Sequence, residues 1–137
     1  MAHTIKRVEY FYTTVKDKPG EAYRLLATLK DLGINQVAFA AVPVGPNSTQ
    51  LTIFPDDSAK LKHEAQQASM DVNGPQHAFL VQGDDEIGAL IDIHKKIHDA
   101  NINVYGTTGV TDGRGSFGYL IYVKEADFER AADCLGI

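Results

Sequence analysis

The sequence predicts an α+β chain made of two tandem copies of one unit, each running strand–helix–strand–strand–helix with its helices on one face of an antiparallel sheet. Three observations predict it. Sliding the sequence against itself by 68 residues, without gaps, places Phe11 on Phe79, Asp17 on Asp85, Gly20 on Gly88, Leu25 on Ile93, Leu29 on Ile97, Ile34 on Ile102, Asn35 on Asn103 and Ile53 on Ile121. Each half shows the same order of apolar periods, two-residue alternation around one helical stripe and then a further helical segment. Residues that break regular structure fall at matching places in both halves.

In the first half, Val8 to Val15 is rich in β-branched and aromatic residues and reads as a strand. Asp17-Lys18-Pro19-Gly20 is a turn that starts a helix, with Pro in the first turn, where its missing N–H costs nothing. Apolar residues at Ala22, Leu25, Leu26, Leu29 and Leu32 form one buried helical face, and Gly33 ends it in the left-handed conformation. A strand at Gln36 to Val44, the turn Gly45-Pro46-Asn47-Ser48 and a strand at Thr49 to Phe54 follow. Asp56-Asp57-Ser58 caps a weaker helix that reaches about Ser69.

The second half repeats the plan with a strand at His77 to Val81 and a helix at Glu86 to Ala100, whose stripe is Leu90, Ile93 and Ile97. Asn101 ends that helix as Gly33 ends the first, Asn being the next-best left-handed residue. Strands at Val104 to Thr111 and Phe117 to Val123 flank the turn Asp112-Gly113-Arg114-Gly115, and Ala126 to Leu135 is the last helix. The copies divide as 1–69 and 70–137, with Met70 to Gln76 joining them. Such a unit, ferredoxin-like in its βαββαβ order, needs a fourth strand. Met70 to Asn73 supplies a short one to the first copy, and Ala2 to Arg7, in the matching register, is the candidate for the second.

Composition narrows the function. Lys plus Arg number 13 against 18 Asp plus Glu, a net charge of -5 that disfavours nucleic acid and anionic membranes. The longest apolar run, Val37 to Val44, is too short to span a bilayer, which needs about 20 residues. The start Met-Ala-His-Thr-Ile-Lys-Arg has no apolar segment behind its charges and reads as no signal peptide. Cys134 is the single cysteine, so no intrachain disulfide and no cysteine-rich zinc site form. A reduced, cytoplasmic protein is expected.

With its strand, Asp17-Lys18-Pro19-Gly20, amphipathic helix and Gly33-Ile34-Asn35 in that order, the chain resembles the ACT-domain family of small-molecule regulatory modules. The resemblance covers nearly the whole chain as two ACT-like repeats side by side. The second keeps Asp85, Gly88 and Ile102-Asn103 but has Ile87 where the family often has Pro. The resemblance implies pairing of such domains and an amino acid bound between the strand–helix turn of one copy and the start of the second strand of its neighbour. The turn Val15 to Gly20 would then face Asn103, and the turn Gly83 to Gly88 would face Asn35.

The implied ligand residues are Asp17, Lys18, Pro19, Gly20, Asn35, Asp85, Gly88 and Asn103. Their chemistry suits an amino acid. Helix N-terminal N–H groups hold a carboxylate, and Gly20 or Gly88 permits close approach to the backbone. Asp17 or Asp85 holds an ammonium, and Asn35 or Asn103 offers both donor and acceptor. The plainer alternative is that both Asp residues cap helices and both Asn residues shape the way into a strand. Where some amino-acid-binding members carry a polar side chain at the end of the first strand, this chain has Val15 and Gly83. Lys16-Asp17-Lys18 alternates in sign and suits a zwitterion, whereas Asp84-Asp85-Glu86 repels a carboxylate, so the first turn is favoured.

Other chemistries find less support. Arg114-Gly115 followed by Phe117-Gly118-Tyr119-Leu120-Ile121-Tyr122 resembles the third-strand signature of the RNA-recognition motif with Ser116 inserted, and Phe79 lies in its loose first-strand partner. Residues 70–137 carry five Lys plus Arg against eleven Asp plus Glu, however, and would repel a phosphate backbone. His94 and His98 have metal-sharing spacing without a third ligand, and Cys134 has no neighbouring base. No acid–base pair, metal cluster or cofactor fingerprint is present. The expectation is a non-catalytic, cofactor-free, allosteric sensor of a small metabolite, an amino acid above all. It would be a homodimer and act through an unidentified partner protein. An RNA-binding module and a ligand-free interaction or dimerisation module are the alternatives.

Overall fold

The computed structural model describes residues 3–137. Its elements are β1 (His3–Lys16), α1 (Glu21–Asp31), β2 (Gln36–Pro43), β3 (Ser48–Pro55), α2 (Ser58–Gln67), β4 (Asn73–Asp84), α3 (Ile91–Asp99), β5 (Gly106–Thr111), β6 (Ser116–Tyr122) and α4 (Phe128–Leu135), the last led in by a 3-10 turn at Glu125–Asp127. The pairs β1/β3 and β2/β3, and separately β4/β6 and β5/β6, are antiparallel. The fold is α+β with an antiparallel sheet, as the sequence predicts. The chain separates into two compact units, Glu9–Gln76 and residues 3–8 with His77–Ile137.

In the unit Glu9–Gln76 the core is Phe11, Leu29, Ile34, Ile53 and Leu61, with Leu25, Leu32, Phe39, Met70 and Val72 against it. Leu26, expected on the buried stripe of α1, is exposed instead. Gly33 adopts a φ of 72° and Ile34 N–H reaches back to Leu29 O at 2.9 Å, closing the helix as expected. Asp57 caps α2 by accepting from Lys60 N–H at 3.0 Å. Lys60 Nζ donates to Gly33 O at 2.7 Å, so the two helix ends share one side chain.

In the other unit the core joins Phe79, Val81, Ile93, Ile97 and Ile121 to Phe128, Ala131, Ala132 and Leu135 of α4. The Phe79 and Phe128 rings stack at 4.5 Å, 7° apart. Residues 3–8 belong to this unit. Arg7 holds them there through both Glu129 carboxylate oxygens at 2.7 Å and Ile137 O at 3.1 Å. The same-unit pairing of Thr4 Oγ1 with Gln82 O puts the N-terminal residues beside β4. Ala2, the first residue of the expected N-terminal strand, lies outside the described residues.

Three sequence-based boundaries are corrected. The segment Met70 to Gln76 is no plain linker, because Asn73 to Gln76 already belong to β4. Gly74, at φ 137°, lets the strand lie against β1, where a Cβ would meet Tyr10 O at 2.8 Å. Pro19 is not in the first turn of a helix, since α1 begins at Glu21 behind an N-cap Gly20 at φ 92°. The helix expected from Glu86 begins only at Ile91, because Gly88 at φ 75° holds residues 86–90 in a turn. Asn101 does take the left-handed conformation, at φ 57°.

Candidate functional site

At the end of β1 the Asp17 N–H donates to Asn47 O at 2.9 Å, fastening the turn to the β2–β3 loop. Gly20 then starts α1 without any side-chain cap. Asp17 is exposed and stands three residues ahead of the N-cap, so the capping alternative does not hold for it. The early N–H groups of α1 keep the partial positive charge of a helix start. Glu21 pairs with Arg24 at 2.9 Å and Lys18 at 3.4 Å. The Arg24 guanidinium above all holds the Glu21 carboxyl below the usual carboxylate range. Asp17, Gly20 and Tyr23 border a cleft of about 230 Å³ whose other wall is Val15 with Thr49 and Leu51 of β3.

The second turn is built alike and ends differently. Asp85 N–H donates to Gly115 O at 2.9 Å, the same bond displaced by 68 positions at both partners. Asp85 is no cap either, because α3 starts behind Leu90, again with no side-chain cap. A larger cleft of about 570 Å³ opens here, bordered by Asp85, Glu86, Ile91, His94, Val110 and Tyr119 among others. Inside it His94 Nε2 and Tyr119 Oη are hydrogen-bonded at 2.9 Å. Tyr119 sits opposite Gly109 on β5, and a Cβ at Gly109 would come within 2.5 Å of Tyr119 Cδ1. Only glycine leaves the ring this place. The β5–β6 turn beside it is held by Asp112, whose Oδ1 accepts from Arg114 N–H at 2.6 Å and Ser116 N–H at 3.1 Å. Those two N–H groups keep the Asp112 carboxyl below its ordinary range.

The expected ligand residues are thus partly gathered. Asp17, Lys18, Pro19 and Gly20 form one turn, and Asp85 and Gly88 lie on the other. Asn35 lies beyond the far end of α1, a helix about 16 Å long, and so does not join Asp17 within the unit Glu9–Gln76. Asn103 stands likewise past the end of α3. Both Asn residues are exposed, and Asn35 O accepts from Asp56 N–H at 3.0 Å. What sequence reading missed is the grouping of His94, Tyr119 and Gly109. The 109/119 pairing depends on strand register, which the turn Asp112 to Gly115 hints at without fixing.

Of the rings considered for RNA stacking, Phe79 is wholly committed to the core and the other two are partly so. Phe79 is fully buried, and Phe117 and Tyr119 pack on the same core. His98 is exposed while His94 faces Tyr119, and among the described residues no group of three His, Cys, Asp or Glu is placed to hold a metal. Burial raises the Cys134 thiol above its ordinary value. No helix among the described residues is long and apolar enough to cross a membrane.

No protein-family model and no curated protein matches the chain. Solved structures do. A Bacteroides thetaiotaomicron protein superposes with a TM-score of 0.79 at 12% identity, over 96% of this chain and 88% of that one. The regulatory subunit of aspartate kinase from Thermus flavus gives 0.64 at 13% identity, over 98% and 93%. The ligand-free Thermus thermophilus regulatory subunit gives 0.62 at 12%, over 97% and 93%. At such identities the likeness is one of fold alone.

Proposed function

We propose that this chain is a tandem pair of ACT-like repeats, 1–69 and 70–137 in sequence, that works without catalysis as a cytoplasmic sensor of a small metabolite, above all an amino acid. The observation that carries the reading is the first turn. An uncapped helix start, a left-handed Gly20 and an exposed Asp17 border one small cleft. The helix start suits a carboxylate and Asp17 an ammonium. The matching bonds Asp17 to Asn47 and Asp85 to Gly115 support the duplication. The regulatory subunits that share the fold support a regulatory role exerted through a partner protein.

A thermal-shift screen against the twenty amino acids tests it. A ligand at 100 times its dissociation constant adds about 2.7 kcal/mol, or roughly 8–13 °C in Tm at this size. Asp17→Asn should then weaken the identified amino acid by about 1.5–3 kcal/mol and leave Tm nearly unchanged, because Asp17 caps nothing. Absence of a shift with every amino acid would favour the interaction module instead.

Homodimerisation belongs to the same reading. β2, paired to β3, carries exposed Val37 and Val42; β5, paired to β6, carries exposed Val110, and Tyr105 beside it is 70% exposed. Unpartnered edges with apolar side chains invite a second copy. Sedimentation should give a mass near twice 15.0 kDa at tens of micromolar; a single 15.0 kDa species would reject the dimer.

A further inference from the structure

We infer that the cleft at the second turn is a separate site for a small organic cation, an ammonium carried on an apolar or aromatic body. Its volume of about 570 Å³ falls in the usual range for small-molecule sites, roughly 300–1,000 Å³. The first-turn cleft, at about 230 Å³, falls below it. The two turns therefore differ in what they can enclose.

Charge separates them further. The first cleft is bordered by Lys16 and Lys18 as well as Asp17 and Glu21. The second is bordered by Asp85 and Glu86 and by no Lys or Arg. A ligand carboxylate there meets two like charges, whereas an ammonium meets two partners. Leu90, Ile91 and Val110 supply apolar wall. The Tyr119 ring, fixed by its bond to His94 and by the bare backbone of Gly109, supplies an aromatic surface for a cation or a ring. The pair is half-buried, so it is held before any ligand arrives. This site stands on its own observations and does not need the first turn to bind anything.

Three probes that share one ring body test it on the full chain: phenethylamine, phenylalanine and 3-phenylpropionate. Amide shifts in a proton–nitrogen spectrum are followed at Gly109, Gly118 and Tyr119. Phenethylamine should bind saturably, at least tenfold more tightly than phenylalanine, with 3-phenylpropionate weakest. The exposed double variant D85N/E86Q should weaken phenethylamine tenfold or more, the effect of losing a charged partner. Gly109→Ala, which drives a methyl into the Tyr119 ring, should abolish binding; should it misfold, the acidic double variant decides alone. Equal or tighter binding of phenylalanine would overturn the cation site and make this turn an amino-acid site. Shifts unchanged by D85N/E86Q, or confined to residues 9–76, would overturn it as well.

Discussion

Phe79→Ala should lower the unfolding free energy by about 3–5 kcal/mol. Phe79 is fully buried, pairs with Ile121 across β4 and β6, and stacks on Phe128 at 4.5 Å. Truncation removes the ring's transfer energy and leaves a void between the sheet and α4. The backbone cannot readily close it, because β4 is held in register by its ladder to β6. Against a total stability of about 5–15 kcal/mol, that loss is between a fifth and the whole. Lys62→Ala is the control, since Lys62 is exposed and exposed sites usually change by less than about 0.5 kcal/mol. Urea unfolding measures both. A Phe79→Ala loss under about 1 kcal/mol would mean that the Phe79–Phe128 stack is not where the core of this unit lies.

The same residue shows how far sequence reading reaches. Phe79 and Ile121 match Phe11 and Ile53 at the 68-residue offset, and both pairs are cross-strand partners in the fold. Apolar spacing is set by burial, so it survives divergence and can be read. The left-handed ends at Gly33 and Asn101 were legible for a similar reason, since few residues take that conformation cheaply. Helix starts were less so. Gly20 and Gly88 both adopt positive φ ahead of their helices, but a glycine in sequence does not say which side of it the helix lies on. Reading Asp17 and Asp85 as possible caps followed from that ambiguity. The His94–Tyr119–Gly109 group was hidden for another reason, because it joins a helix to two strands whose register no local pattern fixes.

Register also governs the second large effect, at Gly74. The Asn73-Gly74-Pro75 sequence has the composition of a turn, yet it lies within β4. A Cβ at Gly74 would stand 2.8 Å from Tyr10 O and 2.9 Å from Phe11 Cδ2, with Phe11 Cα at 3.2 Å. Two of those atoms are backbone, so no rotamer change relieves the clash, and the φ of 137° is costly for any residue with a Cβ. Gly45→Ala separates the two penalties. Gly45 also has a positive φ, of 98°, but nothing lies within 4 Å of its Cβ position. Its substitution should cost only the backbone strain, about 1–2 kcal/mol. Gly74→Ala should cost that plus overpacking of about 1–3 kcal/mol, and the excess should appear as lost amide protection at Phe11 and Tyr12. Phe11 belongs to the core of the unit Glu9–Gln76, so the damage should extend to Leu29 and Ile53 rather than stay at the strand end. Equal unfolding midpoints for the two variants would mean that β4 does not lie against β1 at Gly74 and that the segment is the linker its composition suggests.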